Sequence, residues 1–297
     1  MTHSRAVFLM VLVTLMWSIA GVVTRHLQGA ESFEVTFWRS AFNALALVAL
    51  LGWLRGPATL WRSVREGGRT LWISGVCWSV MFTAFMVAIT LTTVANVLVT
   101  MAISPLLTAL ISRFVFKQRL APRTWAAIFA AGAGIAWMYA HEIGGSDARG
   151  VLGTLIALAV PLASAINWTS IQHSSRSHGE AAPDLLPAVL IGATLSALVT
   201  LPLAVPFQAS AHDLGLLALL GVVQLAIPCL MVVAIARVLS APEVALLALL
   251  EVLFGVLWAW LGAGEAPSAS VLGGGALVLG ALAANEAVGL KRAAAIR

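Results

Sequence analysis

The sequence predicts an all-α integral membrane protein: ten transmembrane helices arranged as two inverted five-helix repeats. Three observations lead there: apolar runs of spanning length, a one-sided distribution of positive charge, and an internal similarity at a shift of 146 residues. Hydrophobic residues make up 61% of the 297 and charged residues only 10%. Soluble domains carry roughly 25% charged residues, so a water-soluble chain is excluded. A spanning helix needs about 20 apolar residues, which leaves room for at most about twelve.

Cutting at charge clusters, Gly/Pro pairs and polar runs gives spans near 6–26, 34–54, 71–91, 95–113, 123–140, 150–171, 185–206, 214–236, 242–262 and 270–290. Spans three and four, and again eight and nine, are separated by only a few residues and read as tight helical hairpins. The remaining connections, including 55–70, read as short loops, and nothing is left for a soluble domain. At the N-terminus, Arg5, the apolar run Ala6 to Met16 and Ser18-Ile19-Ala20 superficially fit a cleaved leader. The apolar stretch continues to Val23 and the repeat needs this helix, so it is expected to be retained.

Charge tests the map. With the N-terminus in the cytoplasm, fourteen of the 17 Lys and Arg fall inside, among them Arg5, Arg55, Arg62, Arg65, Arg69 and Arg237. Arg25 and Arg149 fall outside, and Arg39 sits just inside the outer end of span two. Missing one helix would flip every later loop and destroy this bias. The net charge of +5 therefore reads as orientation in a bacterial inner membrane, with both termini cytoplasmic, and not as nucleic-acid binding. Several of the eleven Trp, such as Trp38, Trp53 and Trp72, stand near span ends as interfacial anchors. Cys77 and Cys229 lie inside apolar segments and read as free thiols.

The shift of 146 aligns Ala88-Ile89 with Ala234-Ile235, Ala95 with Ala241, Arg119 with Glu265, Ala130 with Ala276 and Gly134 with Gly280. It divides the chain into repeats 1–144 and 145–297. An odd number of helices per repeat makes the halves face opposite ways, the design of secondary transporters with a site near the midplane. The strings Gly132/Ala136/Ala140 and Ala276/Gly280/Ala284 permit close helix contact in spans five and ten, either between the repeats or in a homodimer.

Several motifs now carry a family likeness: Trp17-Ser18 in span one, Trp38-Arg39 entering span two, and Ala95 to Pro105 followed by Lys117-Gln118-Arg119-Leu120. Pro242 to Glu265 completes the set. In their order and spacing these resemble the EamA-type branch of the drug/metabolite transporter superfamily, over nearly the whole chain, and within it exporters of aromatic and other amino acids. The chain departs from the branch at Arg119, where its own second repeat has Glu265. The resemblance implies a basket of helices around a cavity lined by spans one, three, four, six, eight and nine.

Those spans hold the unusual residues. Trp17 and Gly21 share a small, polar stripe with Thr14 and Thr24, and Trp78, Phe82 and Phe85 recur at helical spacing. Met101 and Pro105 follow in span four, Asn167 and Trp168 in span six, Gln224 and Pro228 in span eight, and Glu251 in span nine. Rings converging with Asn167 and Gln224 offer an apolar pocket with few polar anchors. Proline inside a span frees carbonyls that neighbours or a ligand must satisfy. Glu251 is the one acid near mid-span, where a charge costs roughly 2.5 to 3.5 kcal/mol unless it faces the bundle.

Enzyme chemistry finds little footing: all six His lie in loops or at helix ends, and neither D-x-x-D nor H-E-x-x-H occurs. No metal or cofactor is expected, and a membrane-embedded lipid-modifying enzyme is the remote alternative. No filter-like Gly-rich loop suggests a channel. With no Lys or Arg expected at mid-membrane depth, phosphorylated substrates are disfavoured, and with Glu251 alone a lipophilic cation is too. A neutral or zwitterionic amino acid is the expected substrate, with a drug or another metabolite as the alternative.

Overall fold

The computed structural model describes residues 1–24, 26–30, 32–92, 97, 100–117, 120–139, 148–178, 184–263 and 269–295. Ala95, Gln118, Arg119, Ala140 and Glu265, to which the sequence reading assigned motif or packing roles, lie outside them. Among the described residues every regular element is helical. Residues 1–144 supply α1 (His3–Trp17), α2 (Ala20–Thr24), α3 (Ser32–Arg55), α4 (Pro57–Glu66), α5 (Gly68–Leu91), α6 (Ser104–Phe114) and α7 (Pro122–Tyr139). The rest of the chain supplies α8 (Ala148–Ala157), α9 (Ala159–His178), α10 (Pro187–Ala204), α11 (Ala211–Leu219), a π-helical segment Leu220–Ala226, and α12 (Ile227–Ile235). It closes with α13 (Ala241–Ala248), α14 (Leu250–Ala263) and α15 (Ala269–Ala295).

Helix occupies part of each of the ten expected segments, and among the described residues six helices are long and apolar enough to cross a membrane by themselves. Large apolar side chains point outward along them, including Phe8, Leu45, Phe129, Leu162, Leu198 and Leu261. So broad an exposed apolar surface suits a lipid environment and no other. The chain is a multi-pass membrane protein. One expectation is corrected: residues 57–66, read as part of a loop, form helix α4.

Packing is closest where side chains are smallest. α5 crosses α10 at Gly192, where a Cβ would stand 2.3 Å from the Cβ of Trp78 and 2.9 Å from the carbonyl of Gly75. The π-helical segment presses on α3 at Gly221, where a Cβ would lie 2.8 Å from the carbonyl of Arg39. These two contacts fix the backbones that carry Trp78 and Arg39. Short polar side chains tie the helices laterally: Ser196 bonds both Ser40 and Thr83 at 2.9 Å, Ser74 donates to Asn167 at 2.6 Å, and Ser104 pairs with Ser164 at 2.8 Å.

α7 and α15 pack against each other along their lengths. The face they share is Ala131, Gly134 and Ile135 against Gly274, Val278 and Leu282. The small-residue strings named above lie mostly off that face: Ala136, Ala276, Gly280 and Ala284 are exposed and Gly132 is half-buried. The intramolecular contact therefore uses a different face of the same two helices.

Candidate functional site

Five of the expected spans do not run straight. α1 stops at Trp17 and resumes as α2 after Ser18-Ile19; residues 102–103 interrupt the fourth segment before α6; and Leu158 separates α8 from α9. Span eight widens into the π-helical segment, and Leu249 separates α13 from α14. π-Helical turns and interrupted ladders leave backbone groups that a membrane tolerates only where protein or a cavity satisfies them. All five interruptions border one cavity of about 130 Å³.

The wall is aromatic. Trp78 lies 5.4 Å from Phe82 and 5.4 Å from Trp168, the second pair edge-to-face at 81°. Trp17, Phe85 and Met101 extend this surface. Trp17 also gives the break in helix one its function: its carbonyl, lacking a helical donor, accepts from Gln224 Nε2 at 3.2 Å. Ser18, the next residue, accepts from Trp258 Nε1 at 2.9 Å, so side chains from the C-terminal half of the chain bridge the interruption.

The polar part of the wall is small and charged at two points. Arg39, only 2% exposed, donates from Nη2 to the Phe82 carbonyl at 3.4 Å and leaves Nε without a partner. Glu251, in the first turn of α14, lines the same cavity, and among the described residues no ion pair joins it to Arg39. Trp78 Nε1 and Gln224 Oε1 are also buried and unpartnered. The wall thus offers free N–H donors at Arg39 and Trp78, an acceptor at Gln224 and a carboxylate at Glu251. Unsatisfied groups at this depth are costly, and a polar guest would relieve them.

Of the eleven residues expected at a site, Trp17, Trp78, Phe82, Met101, Trp168, Gln224 and Glu251 line the cavity. Gly21, Pro105, Asn167 and Pro228 do not. Gly21 is exposed because the interruption at Ser18-Ile19 rotates α2 away from the stripe that an unbroken helix would give. Asn167, adjacent to Trp168 and so pointing about 100° away from it, is fully buried against Ser74. Pro105 and Pro228 are buried at the starts of α6 and α12, while their neighbours Ser104 and Cys229 face the cavity. Cys77 and Cys229 are both free and buried.

Arg39 corrects the expectation that no Lys or Arg reaches the cavity, and adds span two to its wall. Reading charge as orientation places an arginine near a helix end at the interface. This one instead lies on a helix whose backbone Gly221 approaches closely, and its side chain is 2% exposed and lines the cavity.

The model of the EamA-like transporter family matches residues 4–140. No curated protein matches the chain. A solved crystal structure has the same fold with a TM-score of 0.75 at 19% identity, over 97% of this chain and 99% of that one. At that identity the likeness carries the fold alone. With the apolar exterior and the cavity among broken helices, the chain is thus similar over residues 4–140 to the EamA-like transporter family, in a fold shared along nearly the whole chain with a known structure.

Proposed function

We propose that this protein is an alternating-access carrier that exports amino acids, aromatic and other neutral or hydrophobic ones, across the bacterial inner membrane. In this reading the ten helical segments are ten spans, 1–144 and 145–297 are inverted repeats, and both termini are cytoplasmic. The observation that carries the substrate assignment is the wall shared by Arg39, Glu251 and the Trp78/Phe82/Trp168 rings. A zwitterion presents a carboxylate to Arg39 and an ammonium to Glu251, and its side chain stacks on the rings. Donors on Trp78 Nε1 and an acceptor on Gln224 Oε1 complete the recognition of a small polar head.

Arg39 alone does not favour a phosphorylated solute, because Glu251 opposes a dianion in the same cavity. The reverse holds for a lipophilic cation, which Arg39 repels. Multidrug or other metabolite export remains the alternative, and Arg39 is what argues against its cationic form. A homodimer would use the exposed strip Ala276, Gly280 and Ala284 together with Ala136, the face that α7 and α15 leave free.

The test is uptake of labelled amino acids into proteoliposomes holding the purified protein. Saturable uptake of aromatic and aliphatic neutral amino acids, absent for phosphorylated sugars, supports the reading; no uptake of any amino acid sinks it. Single cysteines test the topology: at Arg62 and Ser177 they should react only from the cytoplasm, and at Gln28 and Gln208 only from outside. Any reversal breaks the ten-span map.

A further inference from the structure

Helix α4 has no part in the cavity. It is a ten-residue helix between α3 and α5, set off at both ends by glycines with positive φ, Gly56 at 80° and Gly68 at 61°. One side, Leu60 and Val64 one turn apart, packs against the bundle. The other carries Trp61 at 70% exposure with Arg62 and Arg65, and Arg69 follows on the first turn of α5. Trp53 and Trp72, both exposed, flank it, and Trp61, Val64, Arg65 and Trp72 line one shallow groove. Glu66 is the only acid of the helix, and no ion pair reaches Arg62, Arg65 or Arg69 among the described residues.

Amphipathic helices lying in a membrane interface have this composition: apolar rings at headgroup depth and cations beside them. A purely orienting role needs the charges only on the correct side. It does not need them gathered on one short helix, unpaired, around a tryptophan-lined groove. We propose that α4 is a binding site for the headgroup of an anionic phospholipid of the same leaflet. The phosphodiester sits between Arg62, Arg65 and Arg69, and the acyl chains lie along Trp61 and Trp72. The site is independent of what the cavity carries.

The experiment is native mass spectrometry of the whole protein released from vesicles of equal phosphatidylglycerol and phosphatidylcholine content. The wild type should retain phosphatidylglycerol selectively. The double substitution Arg62→Gln/Arg65→Gln, on exposed positions, should weaken that retention roughly thirty-fold, at about 1 kcal/mol per basic residue near the surface. Arg62→Lys/Arg65→Lys, which keeps the charge, should restore most of it and shows that the Gln variant is folded. Equal retention of both lipids by the wild type, or unchanged selectivity in the Gln variant, overturns the proposal. So does full displacement of the lipid by inorganic phosphate, which would make this a site for a free anion.

Discussion

Two kinds of helix contact build this molecule. The contact of α3 and α5 with α10 uses long, uninterrupted helices, drawn together by Gly75 and Gly192 and laced by serine and threonine hydroxyls. Around the cavity the other helices are interrupted, and side-chain polar groups from continuous and interrupted helices alike are left open: Arg39 Nε on α3, Trp78 Nε1 on α5 and Gln224 Oε1 in the π-helical segment. Along the first contact small residues and hydroxyls serve close approach; around the cavity close approach is given up. The difference teaches where to look for chemistry in a protein with so few charges. It sits where the backbone ladder fails and polar groups lack protein partners, and the continuous region holds those groups in place.

The comparison can be broken most severely at the continuous contact. Gly192→Val forces atoms to within 2.3 Å of Trp78 Cβ. Overpacking of this kind costs about 1–3 kcal/mol or more, so the variant should fail to accumulate as a monodisperse, folded protein. Normal yield and thermal unfolding in detergent would show that α5 and α10 are not the scaffold.

Substitution at the cavity wall should do the opposite and leave folding intact. Arg39→Gln removes a charge-assisted bond worth about 1.5–3 kcal/mol, so the KM for amino acids should rise roughly ten- to a hundred-fold. Glu251→Gln should raise KM for all amino acids by a similar factor, with or without a pH gradient. If it abolishes only gradient-driven accumulation and leaves exchange intact, Glu251 carries a coupling proton instead. Wild-type transport in both variants would return Arg39 and Glu251 to a structural role.

Trp17→Ala, Trp78→Ala and Trp168→Ala sharpen the contrast at a smaller scale. Each removes a stacking surface worth about 0.5–1.5 kcal/mol, a several-fold rise in KM confined to aromatic substrates at unchanged expression. A uniform loss across all amino acids would point to packing. The smallest effect belongs to Ser196→Ala, which deletes the hydroxyl shared by Ser40 and Thr83. Interhelical hydrogen bonds in membranes average about 0.6 kcal/mol, so unfolding should shift slightly and transport not at all.

The continuous region was legible as spans, because an apolar run of spanning length states its own purpose, but its close contact at Gly75 and Gly192 emerges only from the packing. Helix α4 was missed: ten residues with two Arg and a Glu do not read as a span, although Leu60 and Val64 at i, i+4 were its visible mark. At the cavity the rings were readable by spacing and type, but which residue of an adjacent pair faces inward depends on interruptions that no Pro or Gly announces. Leu249 and Ser18-Ile19 are such places. Asn167 and Trp168 could not be ordered by composition, and the hydrogen bond from Ser74 decides between them. Arg39 was read by its charge alone, whereas its burial comes from tertiary packing of α3 against helices far along the chain, which charge does not announce.

The central claim, that Arg39 and Glu251 read the two ends of one zwitterion, is tested most directly by competition against labelled tryptophan uptake in proteoliposomes. Unlabelled tryptophan, tryptamine and indole-3-propionate share the ring and differ only in which charged group they keep. Tryptophan should compete at least tenfold better than either half-molecule, since each leaves one buried charge unanswered. Tryptamine competing as well as tryptophan would contradict the account and make the cavity a site for amines, with Arg39 a structural cation.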